Sequence, residues 1–179
     1  AADPELSQDG LAQAVHLAQY LSSERLDAVY ASSMQRARQT AEPVAADQGL
    51  EVALRDGLTE FDRYSSEYIP VEELKANNDP RWQEMLDGVW DGDESQEEFH
   101  QRTIGAIEEI VAAHSGHRVA VVCHGGVINA FLADVLGTQR SLWMMVENTS
   151  ITTVKMADVI SVLTLNDCHH LYDLVTESN

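Results

Sequence analysis

Two rhythms alternate along the chain: short apolar runs, and apolar positions recurring every three or four residues. Val119 to Cys123 is an unbroken apolar run, rich in β-branched residues and too short for a free-standing helix. It predicts a strand buried on both faces, as in a parallel sheet. His124-Gly125-Gly126 breaks the run, and Val127, Ile128, Phe131, Leu132, Val135 and Leu136 follow at helical spacing up to Gly137, a suitable C-terminal stop. Strand, tight turn and helix in that order put His124 at the carboxyl end of a strand. Open α/β sheets bind ligands there, and a helix N-terminus offers its N–H groups to an anion. On this local pattern alone His124 reads equally well as a turn histidine satisfied by backbone groups.

The same alternation occurs upstream. Pro4 disfavours helix at Asp3, Ser7 is a good N-cap, and Leu11, Ala14, Val15, Ala18 and Leu21 form the apolar face of a first helix. Asp27 to Tyr30 predicts a short strand, Ala31-Ser32-Ser33 a polar turn, and Gln35 to about Asp47 a second helix before Gly49. The first turn of that helix carries Arg36 and Arg38. Cations there oppose the helix dipole by roughly a few tenths of a kcal/mol, a sign that an anion placed between them would reverse. Glu51 to Leu54 predicts another strand, and Gly57 to Phe61 opens an irregular stretch.

From Asp62 to Asp93 the periodicity weakens. Ile69 to Ala76 and Arg81 to Leu86 read as short helices separated by the breaker Asn77-Asn78-Asp79-Pro80. Tyr64, Tyr68, Trp82 and Trp90 gather in this stretch, which reads either as an inserted lid or specificity region or as a plain surface flap. Regularity then returns. Ser95 and Glu98 form a capping box for a helix with Phe99, Thr103, Ala106, Ile107, Ile110 and Val111 on its inner face, ending near Gly116. Ile151 to Met156 and Val159 to Leu165 read as a hairpin turned at Ala157-Asp158, at one side of the sheet.

These alternations predict an α/β fold, and 179 residues without a visible linker predict a single domain over residues 1–179. The composition is globular, 44% hydrophobic, and no apolar run approaches the length of a membrane span. A net charge of −19 argues against nucleic acid or an anionic membrane as partner. An anionic ligand would then need cations concentrated locally around it. Two cysteines, Cys123 and Cys168, make no disulfide framework and no secretory signal opens the chain, so a reducing, cytoplasmic setting is expected. The histidines at 114, 117, 169 and 170 lack zinc spacing, and neither a G-x-S-x-G elbow nor a dinucleotide or P-loop glycine pattern occurs. No metal and no cofactor are expected.

The turns after the predicted strands supply Arg36, Glu60 and His124, with Asn148 and Thr149 just before the hairpin. A guanidinium fork, a carboxyl that can protonate a leaving oxygen and an imidazole that can donate to phosphate oxygens suit phosphoryl chemistry. At these residues the chain resembles the histidine phosphatase superfamily, the group that includes the cofactor-dependent phosphoglycerate mutases. The matching pieces are LSQDGLAQA (Leu6 to Ala14), VYASSMQRARQTA (Val29 to Ala41), LTE (Leu58 to Glu60), DESQEEFHQR (Asp93 to Arg102), VVCHGGVI (Val121 to Ile128) and NTSI (Asn148 to Ile151). The resemblance implies a three-layer α/β/α sandwich with a mainly parallel sheet. It also implies that Arg36 binds the phosphoryl group, that Glu60 is the proton donor, and that His124 is the second pocket histidine stabilising the transferred phosphate. Asn148 and Thr149 would stand at the pocket edge, while Arg38 aligns with no essential position.

One departure from the family pattern stands out. The nucleophilic histidine of the family belongs to an Arg-His-Gly motif at the end of a first strand, and no such motif occurs here; the single His-Gly pair is His124-Gly125. The expectation is a nucleophile upstream of Ala1, and a phosphomonoester hydrolase acting through a phosphohistidine on a small phosphorylated substrate, with water completing the second step. The rival from a different class is a noncatalytic phosphate-binding or interaction module that keeps Arg36 and His124. Mutase-type phosphoryl transfer is a further alternative, disfavoured by the lack of extra basic residues for a second phosphate. A homodimer is left open.

Overall fold

The computed structural model describes residues 3–87, 94–138, 140 and 142–172. In chain order its elements are α1 (Gln8–Leu21), β1 (Ala28–Ser32), α2 (Gln35–Gln48), β2 (Val52–Arg55), a 3₁₀ turn (Asp56–Leu58), α3 (Val71–Ala76), α4 (Pro80–Leu86), α5 (Gln96–Ala113), β3 (Val119–Val122), α6 (Gly125–Leu136), β4 (Ile151–Lys155) and β5 (Ser161–Asp167), followed by a 3₁₀ turn at His169–Leu171. Strands β2, β1 and β3 form a parallel sheet in that order.

The layers follow from the two-residue period of β1. Val29 and Ala31 face a cluster with Leu17 and Ala18 of α1 and Ala41, Val44 and Ala45 of α2. Tyr30 faces the opposite cluster, with Phe99, Ala106 and Ile110 of α5 and Val127 of α6. Helices therefore cover both faces of a parallel sheet, the three-layer α/β/α sandwich expected.

Local signals explain most element ends. The Ser7 hydroxyl accepts from the Gly10 N–H, the Ser95–Glu98 capping box is formed, and Gly137 closes α6 in the left-handed conformation at φ 67°. Helix α2 is different. Its N-cap, Met34, offers no side-chain acceptor, and the carboxylate of Asp3 instead accepts the Gln35 N–H at 2.9 and 3.0 Å. An anion from the chain lead thus offsets Arg36 and Arg38 against the helix dipole. Pro80, part of the expected breaker, is the first residue of α4, which Asp79 caps.

Three expectations are corrected. Strand β3 is half-buried along its length rather than buried on both faces, because among the described residues it has one hydrogen-bonded neighbour, β1. The hairpin β4/β5 forms a two-stranded antiparallel sheet of its own instead of flanking the parallel one, and its turn is longer than Ala157-Asp158. In α1 the inward stripe runs through Ala14, Leu17 and Ala18, whereas Leu11 and Val15 are exposed; small residues let α1 sit close against the alanines of α2. Trp90 and the rest of 88–93 lie outside the described residues. Among those described, no helix is long and apolar enough to cross a membrane.

Candidate active site

The parallel pairing of β1 with β3 sets Ala31 beside Val122, so the turns that leave the two strands start side by side. The first turn carries Ser32 and Met34, the second His124 and Gly125-Gly126. His124 Nε2 lies 2.8 Å from Ser32 Oγ, and Ser32 Oγ accepts the Met34 N–H at 3.2 Å. The Met34 thioether accepts the Glu60 N–H at 3.4 Å. The Glu60 carboxyl then reaches across to α6, where Oε2 takes the Gly126 N–H at 2.8 Å and Oε1 the Phe61 N–H at 3.0 Å. The contacts form a ring: His124, Ser32, Met34, Glu60 and Gly126. The second glycine of His-Gly-Gly has a steric reason, since a Cβ at 126 would overlap the Glu60 carboxyl. An N–H at the start of α6 thus serves an acidic side chain of the protein itself.

Burial sets the protonation of this corner. Glu60 is pushed up to about 7, chiefly by loss of hydration, while the Gly126 and Phe61 N–H groups pull it down; Asp62 raises it further and Arg36 lowers it. A carboxyl near 7 can hold a proton and give it up close to neutrality, as a general acid must. His124 is pushed down to about 3 by burial and by the charges of Arg36 and Arg102, so its imidazole is neutral. The thiol of half-buried Cys123 next to it is pushed up to about 12, chiefly by loss of hydration, which excludes it as a thiolate nucleophile.

Arg36 projects from the first turn of α2. Its Nη2 is 3.2 Å from Asp62 Oδ1 and its guanidinium lies 4.8 Å from the centre of the Tyr68 ring. Its Nη1 is buried and has no hydrogen-bond partner among the described residues, a donor left for an anion. Arg38, one helical step away, is exposed and pairs with Glu42 at 3.4 Å.

The structure therefore brings Arg36, Glu60 and His124 into one electrostatic neighbourhood. Asn148 and Thr149 do not join the ring of contacts. Asn148 is exposed, and the Thr149 hydroxyl is 3.2 Å from Nε2 of His170, a buried histidine of the C-terminal 3₁₀ turn. Thr149 also holds φ at 55°, which fixes the bend before β4.

Sequence reasoning missed three supporting residues. Arg102 of α5 donates to the carbonyls of Gly57, Thr59 and Glu60 at 3.0, 2.6 and 3.3 Å and pairs with buried Glu94 at 2.6 and 2.8 Å. It holds the stretch that delivers Glu60. Asn129 of α6 is fully buried; its amide donates to Gly125 and Met144 carbonyls, and its oxygen accepts from the Trp143 and Met144 N–H groups. Ser32 is the third. Arg102 and Ser32 lie within the matched segments 93–102 and 29–41, so their places there were a usable signal; Asn129 carries none. Among the described residues no group of three or more His, Cys, Asp or Glu side chains is gathered as a metal site.

A family profile described as the histidine phosphatase superfamily (branch 1) matches residues 1–167. The chain is 33% identical to phosphoserine phosphatase 1 of Hydrogenobacter thermophilus, over 99% of this chain and 87% of that protein. It is 32% identical to phosphoglycerate mutase-like protein 4 of Arabidopsis thaliana, over 87% and 70% respectively. In fold it is similar to Bacillus stearothermophilus YhfR, with a TM-score of 0.81 at 24% identity over 94% of this chain and 88% of that one. A phosphoserine phosphatase from Entamoeba histolytica, solved with phosphoserine, superposes with a TM-score of 0.77 at 25% identity over 95% and 88%.

Proposed function

This chain belongs to the histidine phosphatase superfamily, branch 1, and we propose that it hydrolyses phosphomonoesters through a phosphohistidine and that its substrate is a small phosphorylated hydroxy acid of the phosphoserine kind. The observation that carries the reaction is the buried Glu60 carboxyl, poised near neutrality beside neutral His124 and the unpaired Nη1 of Arg36. Similarity along nearly the whole chain to a phosphoserine phosphatase supports this substrate class.

In this reading Arg36 takes a phosphoryl oxygen through its free Nη1, and His124 donates to another. The phosphoryl group passes to the imidazole of the family's Arg-His-Gly motif, which does not occur in these 179 residues. As the ester P–O bond breaks, the proton of Glu60 goes to the departing alcohol oxygen. Glu60, now ionised, takes a proton from the water that attacks phosphorus, and inorganic phosphate leaves. Charge developing on the leaving oxygen is neutralised by a proton, so the site requires no second cation there.

The test is phosphate release from L-phosphoserine by the protein carrying its complete natural N-terminus. Glu60→Gln is expected to lower kcat by roughly a hundredfold or more while vanadate still binds. Isomerisation of a phosphoglycerate without phosphate release would favour mutase-type transfer instead. Vanadate binding without turnover of any ester would leave a phosphate-binding module.

A further inference from the structure

We propose that Ser32 sets the tautomer of His124, placing the single imidazole proton on Nδ1 so that the ring presents a donor to the phosphoryl group. The inference deepens the reading above and rests on it only for the identity of what Nδ1 meets. Ser32 is a positioning residue: it acts through His124 and touches no reacting atom.

Donors and acceptors must balance at one buried hydroxyl. Ser32 has no exposed surface, and among the described residues its Oγ has two partners, the Met34 N–H and His124 Nε2. A hydroxyl carries one proton and two lone pairs. The Met34 amide can only donate, so it uses one lone pair. If His124 Nε2 also donated, the Ser32 proton would be buried with no acceptor, a serious penalty for a hydroxyl away from water. If Nε2 accepts, every group at this junction is satisfied: Met34 N–H to Ser32 Oγ, and Ser32 O–H to His124 Nε2. The proton of the ring must then be on Nδ1.

A neutral imidazole has one N–H, so the choice decides whether the ring repels or attracts an anionic oxygen. His124 is held neutral by burial and by the Arg36 and Arg102 charges, so a second ring proton is not available to make the choice irrelevant. A lone pair on Nδ1 would oppose a phosphate; an N–H there donates to it. The device is compact because the same turn serves the acid. Met34 gives its N–H to Ser32 and its thioether to the Glu60 N–H, so the donor state of His124 and the placement of Glu60 share one support.

Long-range proton–nitrogen NMR of ¹⁵N-histidine-labelled protein, without ligand, tests this. The His124 signals are those missing from a His124→Asn variant. Nδ1 in the protonated range and Nε2 in the unprotonated range are expected in the unsubstituted protein, and the reverse pattern there overturns the proposal whatever any variant does. In Ser32→Ala the Nε2–H form should appear, with vanadate affinity down roughly tenfold through loss of one donor to a charged oxygen. Ser32→Thr, which keeps the hydroxyl, should retain the Nδ1–H form and most of the affinity. An unaltered tautomer in a folded Ser32→Ala protein also overturns it. Because the spectrum is read without substrate, an Nδ1–H ring in a protein that hydrolyses no ester would count against the phosphatase reading and leave the tautomer assignment intact.

Discussion

The corner where β1, β3 and α6 meet and the segment 62–87 approach Arg36 from two sides, and they are built differently. In the corner Ser32 and Asn129 have no exposed surface, Glu60 and His124 have 8% each, and each polar group named above has a stated partner. In 62–87 the two helices have six and seven residues, α4 buries none of them, and Tyr64 and Tyr68 are 56% and 40% exposed. Among the described residues its ties to the rest of the molecule include Asp62 to Arg36, Arg63 to Glu94, Tyr68 against Arg36, and buried Leu74. The difference separates two demands. Protonating a leaving oxygen needs groups fixed to a fraction of an ångström, which buried and mutually satisfied side chains provide. Accommodating the rest of a substrate tolerates a looser wall, and a loosely held segment rich in aromatics can supply one.

The corner is where a small change should do most damage. Gly126→Ala adds one methyl group that overlaps the Glu60 carboxyl, and because Arg102 holds the Glu60 carbonyl and Met34 its N–H, the backbone stays in place while the carboxyl swings away from α6. We expect kcat to fall by roughly a hundredfold, the usual scale for misplacing a catalytic group by about an ångström, with circular dichroism unchanged. Wild-type kcat in this variant would mean that the Glu60 contact with α6 is incidental, and the contrast between the two regions would lose its basis.

Elements were far more legible in the sequence than supports. The capping box at Ser95, the stop at Gly137 and the apolar stripe of α5 are signals between residues close in the chain, and each is formed. Arg36, Glu60 and His124 could be picked out because strand ends announce themselves and because a family pattern runs through them. Ser32, Asn129 and Arg102 could not be picked out by periodicity. A buried polar residue looks like a surface one until its partner, often far away in sequence, is known: Ser32 and His124 are 92 positions apart. Exposure failed for a related reason. Leu11 and Val15 are as apolar as Leu17, and only the close approach of α1 to α2 decides which of them is covered.

Asp62 stands at the junction of the two regions, and replacing it should have a middling effect of definite sign. It raises Glu60 and holds Arg36. In the proposed reaction Glu60 works as an acid only while protonated, so kcat should descend as pH rises through about 7. Asp62→Asn removes a repulsive carboxylate and frees a guanidinium, and both changes favour ionised Glu60. The descent should therefore move to lower pH. Phosphate and vanadate should bind roughly two- to fivefold more tightly, because Arg36 no longer leaves an ion pair to meet them. A pH profile that stays in place, or a descent that moves upward, would show that Asp62 does not act on Glu60.

The smallest effect should come from within the loose segment, and its value lies in a paired control. Tyr68 lies under the Arg36 guanidinium at 4.8 Å, whereas Tyr64 lies under Arg63 at 4.5 Å. An exposed cation–π contact contributes about 0.5–1 kcal/mol. Tyr68→Ala should therefore loosen Arg36 and raise KM for a small phosphate ester by roughly two- to fivefold at nearly constant kcat, since the proton donor is untouched. Tyr64→Ala should leave both constants for that ester unchanged, because Arg63 is engaged with Glu94 and not with the acid. With a bulkier ester the two variants should converge, each removing part of an aromatic wall. Steady-state kinetics on one small and one bulky substrate separates these outcomes. Equal effects of both substitutions on the small ester would mean that the segment acts on the phosphate as a unit, and the division between a rigid corner and a permissive wall would have to be redrawn through Arg63.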